Sequence, residues 1–172
     1  MLPTQLFIDG QWVDSLSGET FDDLNPYSGE VYARVAKGTT QDADRAMSAA
    51  FAAREGWAAT PPLERAQVLQ TAGRLLDEER QAFADVLTHE GGGTAGKAMF
   101  EISQTMDLLD TAAADSKRIL GETFHNDPAK ISMTLRRPKG TVVAITPWNF
   151  PLILAMYKVA YGIATGNTVV LK

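Results

Sequence analysis

The chain has 172 residues, 45% hydrophobic and 22% charged, with a formal net charge of -5. That is enough chain for a packed core, with no basic excess to mark a nucleic-acid partner and no apolar run long enough to span a membrane. It contains no cysteine, which excludes disulfides, cysteine metal ligands and a cysteine nucleophile within these residues.

In chain order, Leu6-Phe-Ile-Asp-Gly-Gln-Trp-Val13 places Asp9-Gly10 between two apolar runs, a hairpin signal. Asn25-Pro-Tyr-Ser-Gly29 is turn chemistry, followed by a strand from Glu30 to Ala36. Thr39-x-x-Asp42 has the spacing of a capping box, with Asp in place of Glu. Behind it Ala43, Ala46, Met47, Ala50 and Phe51 form a helical stripe expected to face the core. Thr60-Pro61 opens the next helix, with Thr60 as N-cap and Pro61 in the first position. Its expected core face is Ala66, Leu69, Ala72 and Leu76, and a continuation from Gln81 carries Phe83, Val86 and Leu87. A long helix from Thr94 to Leu120 shows Met99, Ile102, Met106, Leu109 and Ala113 at 3-4-3-4 spacing, with Gly121 as its stop. Both methionines read as core filling. Ile131-Ser-Met-Thr-Leu135 alternates as a half-exposed strand whose pairing Pro138 limits.

Two further features carry no chemistry on this reading. Gly91-Gly-Gly-Thr-Ala-Gly96 is a literal G-x-G-x-x-G, but a dinucleotide fingerprint needs a strand before it, and Ala82 to Glu90 reads as helix. An inter-helix turn is expected there. His89 and His125 stand apart from other ligand types, so no metal site is expected.

The end of the chain is the richest part. Thr141-Val-Val-Ala-Ile-Thr-Pro-Trp-Asn-Phe-Pro-Leu152 reads as a buried strand running into a turn bracketed by Pro147 and Pro151. A helix follows, then a second apolar strand in Gly166-Asn-Thr-Val-Val-Leu-Lys172. A rigid turn at the carboxyl end of such a strand can aim the Asn149 amide at one point, where open α/β sheets take their ligands. The residues alone leave two readings of Asn149 open: an oxyanion donor or a cap for the helix that starts near Phe150.

The run Ile145 to Leu152, with Lys158 and then Gly166 to Lys172, resembles the start of the cofactor domain of aldehyde dehydrogenases. Phe7 to Val13 and Asn25 to Val31 resemble that family's N-terminal strands, so the similarity spans nearly the whole chain. Tyr161-Gly162-Ile163 departs from the Pro-Ala-Leu-like segment expected there. The resemblance implies the N-terminal part of an enzyme that oxidises an aldehyde to a carboxylic acid with NAD or NADP. It implies an α/β fold with N-terminal strands and helices leading into a parallel Rossmann-like cofactor-binding sheet, truncated after its second strand. Residues 1–172 would be an incomplete N-terminal cofactor-binding domain: strands and hairpin over 1–38, a helical part over 39–121, an edge strand over 129–140 and a βαβ start over 141–172.

By the same resemblance Asn149 is the catalytic oxyanion donor. Ile145, Thr146, Pro147 and Trp148 line the nicotinamide side of the cofactor, largely through backbone. Lys172 hydrogen-bonds the adenosine ribose; Lys158, one helix face on, is read from its position as structural. The family's catalytic cysteine and general-base glutamate lie beyond residue 172, so the chain alone is expected to be inactive. Gly91-Gly-Gly-Thr-x-x-Lys97 suggests the aromatic-aldehyde branch. The expected partners are a small aldehyde substrate and further copies of the full-length protein, as a homodimer or homotetramer through the strand at 129–140, with no nucleic acid and no membrane. The N-terminus shows no secretory signal, and a cytoplasmic location is expected. A rival reading is a non-catalytic α/β module acting in assembly or regulation.

Overall fold

A computed structural model describes residues 4–172. Strands β1 (Leu6–Ile8) and β2 (Gln11–Val13) form an antiparallel hairpin that pairs Ile8 with Gln11. Asp9 and Gly10 both take positive φ, 52° and 74°, the backbone a two-residue turn requires. Strands β3 (Thr20–Leu24) and β4 (Val31–Ala36) form a second antiparallel pair. The Asn25 side chain closes its loop by accepting from the N–H groups of Tyr27 and Ser28.

Helix α1 (Thr40–Ala59) begins with a complete capping box: Thr39 Oγ1 accepts from Asp42 N–H, and the Asp42 carboxylate accepts from Thr39 N–H. The same buried carboxylate accepts from Ser15 Oγ at 2.9 Å and Leu16 N–H at 3.2 Å, tying the loop after β2 to the helix. The Thr39 backbone bond is the largest cause holding the Asp42 carboxyl down at about 2, with burial opposing it. A carboxyl depressed in the folded state stabilises above its unfolded value and loses that contribution as it protonates. Stability should therefore fall as pH drops from 3.8 towards about 2. Asp42→Asn should flatten that part of the curve, read as urea midpoints across the range, whereas an unchanged curve would remove Asp42 from the acid response.

The inward face of α1 differs from the expected stripe. Ala46 and Ala50 are half-buried, but Ala43 is exposed, Met47 is 36% exposed and Phe51 is 57% exposed. The helix meets later elements through polar contacts instead: Trp57 Nε1 donates to Ile163 O at 3.1 Å, and Thr168 Oγ1 donates to Ala50 O at 2.8 Å.

Helix α2 (Pro62–Glu78) starts one residue later than expected. Pro61 is its N-cap and Pro62 occupies the first turn, while Thr60 caps the end of α1. Ala66, Leu69 and Leu76 are buried as expected, but Ala72 is exposed and Gly73 takes its place, close against Leu109. Helix α3 (Arg80–His89) buries Ala84 and Leu87 and leaves Phe83 40% exposed.

Helix α4 (Ala95–Ser116) is the axis of the core. Ile102, Leu109 and Ala113 are buried, with Met99 and Met106 against them. Its stop is at Ser116, and Gly121 has another role. A Cβ on Gly121 would sit 2.0 Å from Thr134 O, so the glycine permits close approach of the two chain segments around β5 (Thr123–Phe124) and β6 (Ser132–Met133). Of the expected half-exposed strand Ile131–Leu135 only Ser132–Met133 pairs, and its apolar residues Ile131, Met133 and Leu135 are all exposed, with no element among the described residues packed over them to form a buried face.

Strands β7 (Thr141–Ala144) and β8 (Thr168–Leu171) pair in parallel, joined by helix α5 (Pro151–Ala164). Asn167 fixes the return from α5. Its amide donates to Thr165 Oγ1 at 2.8 Å, and its oxygen accepts from Gly140 N–H at 3.0 Å. Buried Arg65 of α2 donates to Ala164 O at 3.1 Å and to Thr60 O, satisfying the carboxyl ends of α5 and α1 together. The departure at Tyr161-Gly162-Ile163 has a packing reason: a Cβ on Gly162 would meet Val169 Cγ2 at 2.7 Å. No helix among the described residues is long and apolar enough to cross a membrane.

Candidate functional site

The carboxyl ends of β7 and β8 lie side by side. Lys172 N–H donates to Ala144 O at 2.8 Å, and Thr146 N–H donates to Lys172 O at 3.1 Å. Thr146 Oγ1 reaches the same oxygen at 3.3 Å. Thr146 and Lys172 are thereby fixed against each other at one edge, with the Lys172 side chain in solvent. Beyond β7 the chain turns through Ile145, Pro147, Trp148 and Asn149, all exposed, with Trp148 at 87%. The six residues singled out in the sequence thus fall on one connected edge.

What holds the turn was not visible in the sequence. The N-cap of α5 is Phe150, whose side chain has no acceptor, and the first helical residue is Pro151, which has no N–H. The next two N–H groups, those of Leu152 and Ile153, also lack partners within the helix. Both go to a single atom, Glu101 Oε1 of α4, at 2.8 and 3.2 Å. Glu101 is fully buried. Its other oxygen, Oε2, has no hydrogen-bond partner among the described residues and faces the Lys97 ammonium at 3.5 Å. The Lys97 Nζ also lies 4.5 Å from the centroid of the Phe150 ring.

This arrangement removes one of the two readings of Asn149. Asn149 does not cap α5, because a carboxylate from another helix does. The amino end of a helix attracts anions, and here that place is filled by the protein itself. The Asn149 amide remains in solvent as a side-chain donor on the turn.

The other features fall elsewhere. Gly91 to Gly96 joins α3 to α4 with no strand before it, and Thr94 serves as the N-cap of α4. His89 stacks on Tyr32 with ring centroids 5.6 Å apart, and His125 is exposed. Among the described residues no group of metal-ligating side chains occurs. The Lys158 ammonium donates to Leu154 O within its own helix. A surface depression of about 530 Å³ lies between the β1–β2 hairpin and α1, and none of the six residues lines it.

The profile of the aldehyde dehydrogenase family matches residues 12–172. The chain belongs to the aldehyde dehydrogenase family. It is 36% identical over 172 residues to a salicylaldehyde dehydrogenase of Pseudomonas putida, covering 99% of this chain and 36% of that protein. The structure superposes on an NAD-dependent benzaldehyde dehydrogenase from Corynebacterium glutamicum with a TM-score of 0.93 at 37% identity, covering 99% of this chain and 38% of that one. It also superposes on a betaine aldehyde dehydrogenase from Staphylococcus aureus, solved with NAD+, at a TM-score of 0.96 and 32% identity, covering 99% and 35%. The chain spans about a third of the length of the relatives it matches. Its mixed α/β fold is that of the family's N-terminal part.

Proposed function

We propose that residues 1–172 are the N-terminal part of an NAD(P)+-dependent aldehyde dehydrogenase that oxidises an aldehyde to a carboxylic acid. The observation that carries this is the edge of β7 and β8, which ties Thr146 to Lys172 and leads into the exposed turn that bears Asn149, in a chain of this family. The parallel β7–α5–β8 unit would open a Rossmann-like sheet, whose ligand place is the carboxyl edge of its strands.

The donors present suit a dinucleotide. The Lys172 ammonium offers hydrogen bonds to ribose hydroxyls, and the largely exposed Ile145–Trp148 turn offers backbone and apolar surface on the nicotinamide side. Bound NAD(P)+ supplies the hydride acceptor. A cysteine from outside these residues adds to the aldehyde carbonyl, and the carbonyl oxygen becomes an oxyanion. The Asn149 amide N–H donates to it, lowering the cost of that charge. The relatives named for salicylaldehyde and benzaldehyde, with Gly91 to Lys97, support an aromatic aldehyde as the first substrate to try. The exposed apolar residues of the β5–β6 hairpin, Ile131 and Leu135 among them, support a homodimer or homotetramer that covers this edge. A cytoplasmic location goes with this reading.

The test is NAD(P)H absorbance with purified protein and a panel of aromatic and aliphatic aldehydes. The full-length protein should turn over at least one aldehyde, and the 172-residue chain none. Turnover by the short chain, or none by the long one with either dinucleotide, would overturn the reading.

A further inference from the structure

Glu101 is buried without exposure, sits in the second turn of the core-forming helix α4, and is not among the groups that would touch substrate or dinucleotide. A carboxylate in such a place is costly unless its charge is put to use. Here each contact of that carboxylate leads to one short segment. Oε1 accepts from Leu152 and Ile153, the open N–H groups of α5. Oε2 faces Lys97, one turn earlier on the same helix, and the Lys97 ammonium sits over the ring of Phe150. Phe150 immediately follows Asn149, and Pro151, the first helical residue, has no N–H to anchor this end. Two points on α4 thus grip the residues on the carboxyl side of Asn149. On its other side Thr146 is tied to Lys172. The turn between these ties is exposed and has no other anchor of this kind among the described residues.

We infer that Glu101, with Lys97, is a positioning residue that sets where the Asn149 amide points, acting through the amino end of α5. This rests on the reading of Asn149 as oxyanion donor. An alternative, that Glu101 only stabilises the fold, makes a different forecast, because a fold defect does not depend on whether Asn149 is present.

The experiment uses the full-length protein with Glu101→Ala and Glu101→Gln, each in the Asn149 background and the Asn149→Ala background. Misplacing a catalytic donor by about 1 Å costs up to about 100-fold. Glu101→Ala should lower kcat by about tenfold or more where Asn149 is present, and by less than about twofold where it is absent. Glu101→Gln keeps an acceptor oxygen of the same reach and should restore most of the loss. Dinucleotide Kd should stay as in the parent. Where Glu101→Ala does not fold, Glu101→Asp replaces it: charge is kept, reach is shortened, and the same dependence on background is expected. Equal losses in both backgrounds, or an unaffected kcat, overturn the positioning role. A kcat that Asn149→Ala itself leaves unchanged sinks the oxyanion reading instead, and the two failures are told apart by that single mutant.

Discussion

Replacing Asn149 by alanine in the full-length protein should lower kcat by about 10²–10³, the usual loss for one preorganised oxyanion donor. The expectation follows from how the residue is left by its surroundings. The amino end of α5 is already satisfied by Glu101, so removing Asn149 strands no buried N–H and should leave the folded structure intact. The amide is in solvent, so truncation opens no core cavity. What is lost is a donor to a charge that exists only once the carbonyl has been attacked. The loss therefore belongs in kcat and in kcat/KM together, with dinucleotide affinity unchanged. Single-turnover measurements make chemistry visible where product release is slow. A near-normal rate of that step would leave Asn149 with no role in the reaction.

The elements legible in the sequence were those whose signals are local. Asp9-Gly10 defines its turn by its own backbone, Thr39 and Asp42 cap each other across one turn, and the α4 stripe is apolar on the side that meets three other helices. The face of α1 was misjudged because apolar spacing was taken as the guide. That helix is held by a capping carboxylate and by side-chain to backbone bonds from Trp57 and Thr168, while Met47 and Phe51 stay outside. Gly121 read as a helix stop, since a glycine needed for close approach to the chain just after β6 leaves the same mark in a sequence as one that ends a helix. The candidate site shows the same division. Its exposed edge, Ile145 to Asn149 and Lys172, could be picked out because prolines and strand ends bracket it. Its support could not: Glu101 lies 51 residues before Leu152, and a lone glutamate on a helix ordinarily reads as a solvated face. Arg65 escaped for the same reason, its partner Ala164 being 99 residues away. Buried charges that serve distant helix ends have no periodicity to betray them.

Lys172→Met in the full-length protein should weaken dinucleotide binding about tenfold, with kcat at saturating cofactor little changed. The backbone of Lys172 is tied to Ala144 and Thr146, and these bonds survive the substitution because they use only main-chain atoms of the residue. Methionine keeps most of the apolar stem, so the change isolates the ammonium. A charge-assisted hydrogen bond contributes about 1.5–3 kcal/mol. The side chain is exposed, so solvent and salt screen it and the lower end applies. About 1.4 kcal/mol is tenfold in Kd. Fluorescence titration at low and at high salt measures it, and the deficit should shrink as salt rises. An unchanged Kd at low salt would assign the ammonium to solvent. The pair of substitutions then separates the two ends of the edge: Asn149 should act on the chemical step with binding intact, and Lys172 on binding with the chemical step intact. If both variants instead lost affinity and rate together, the edge would be responding as one mechanical unit, and the division of labour between oxyanion donor and ribose donor would be wrong.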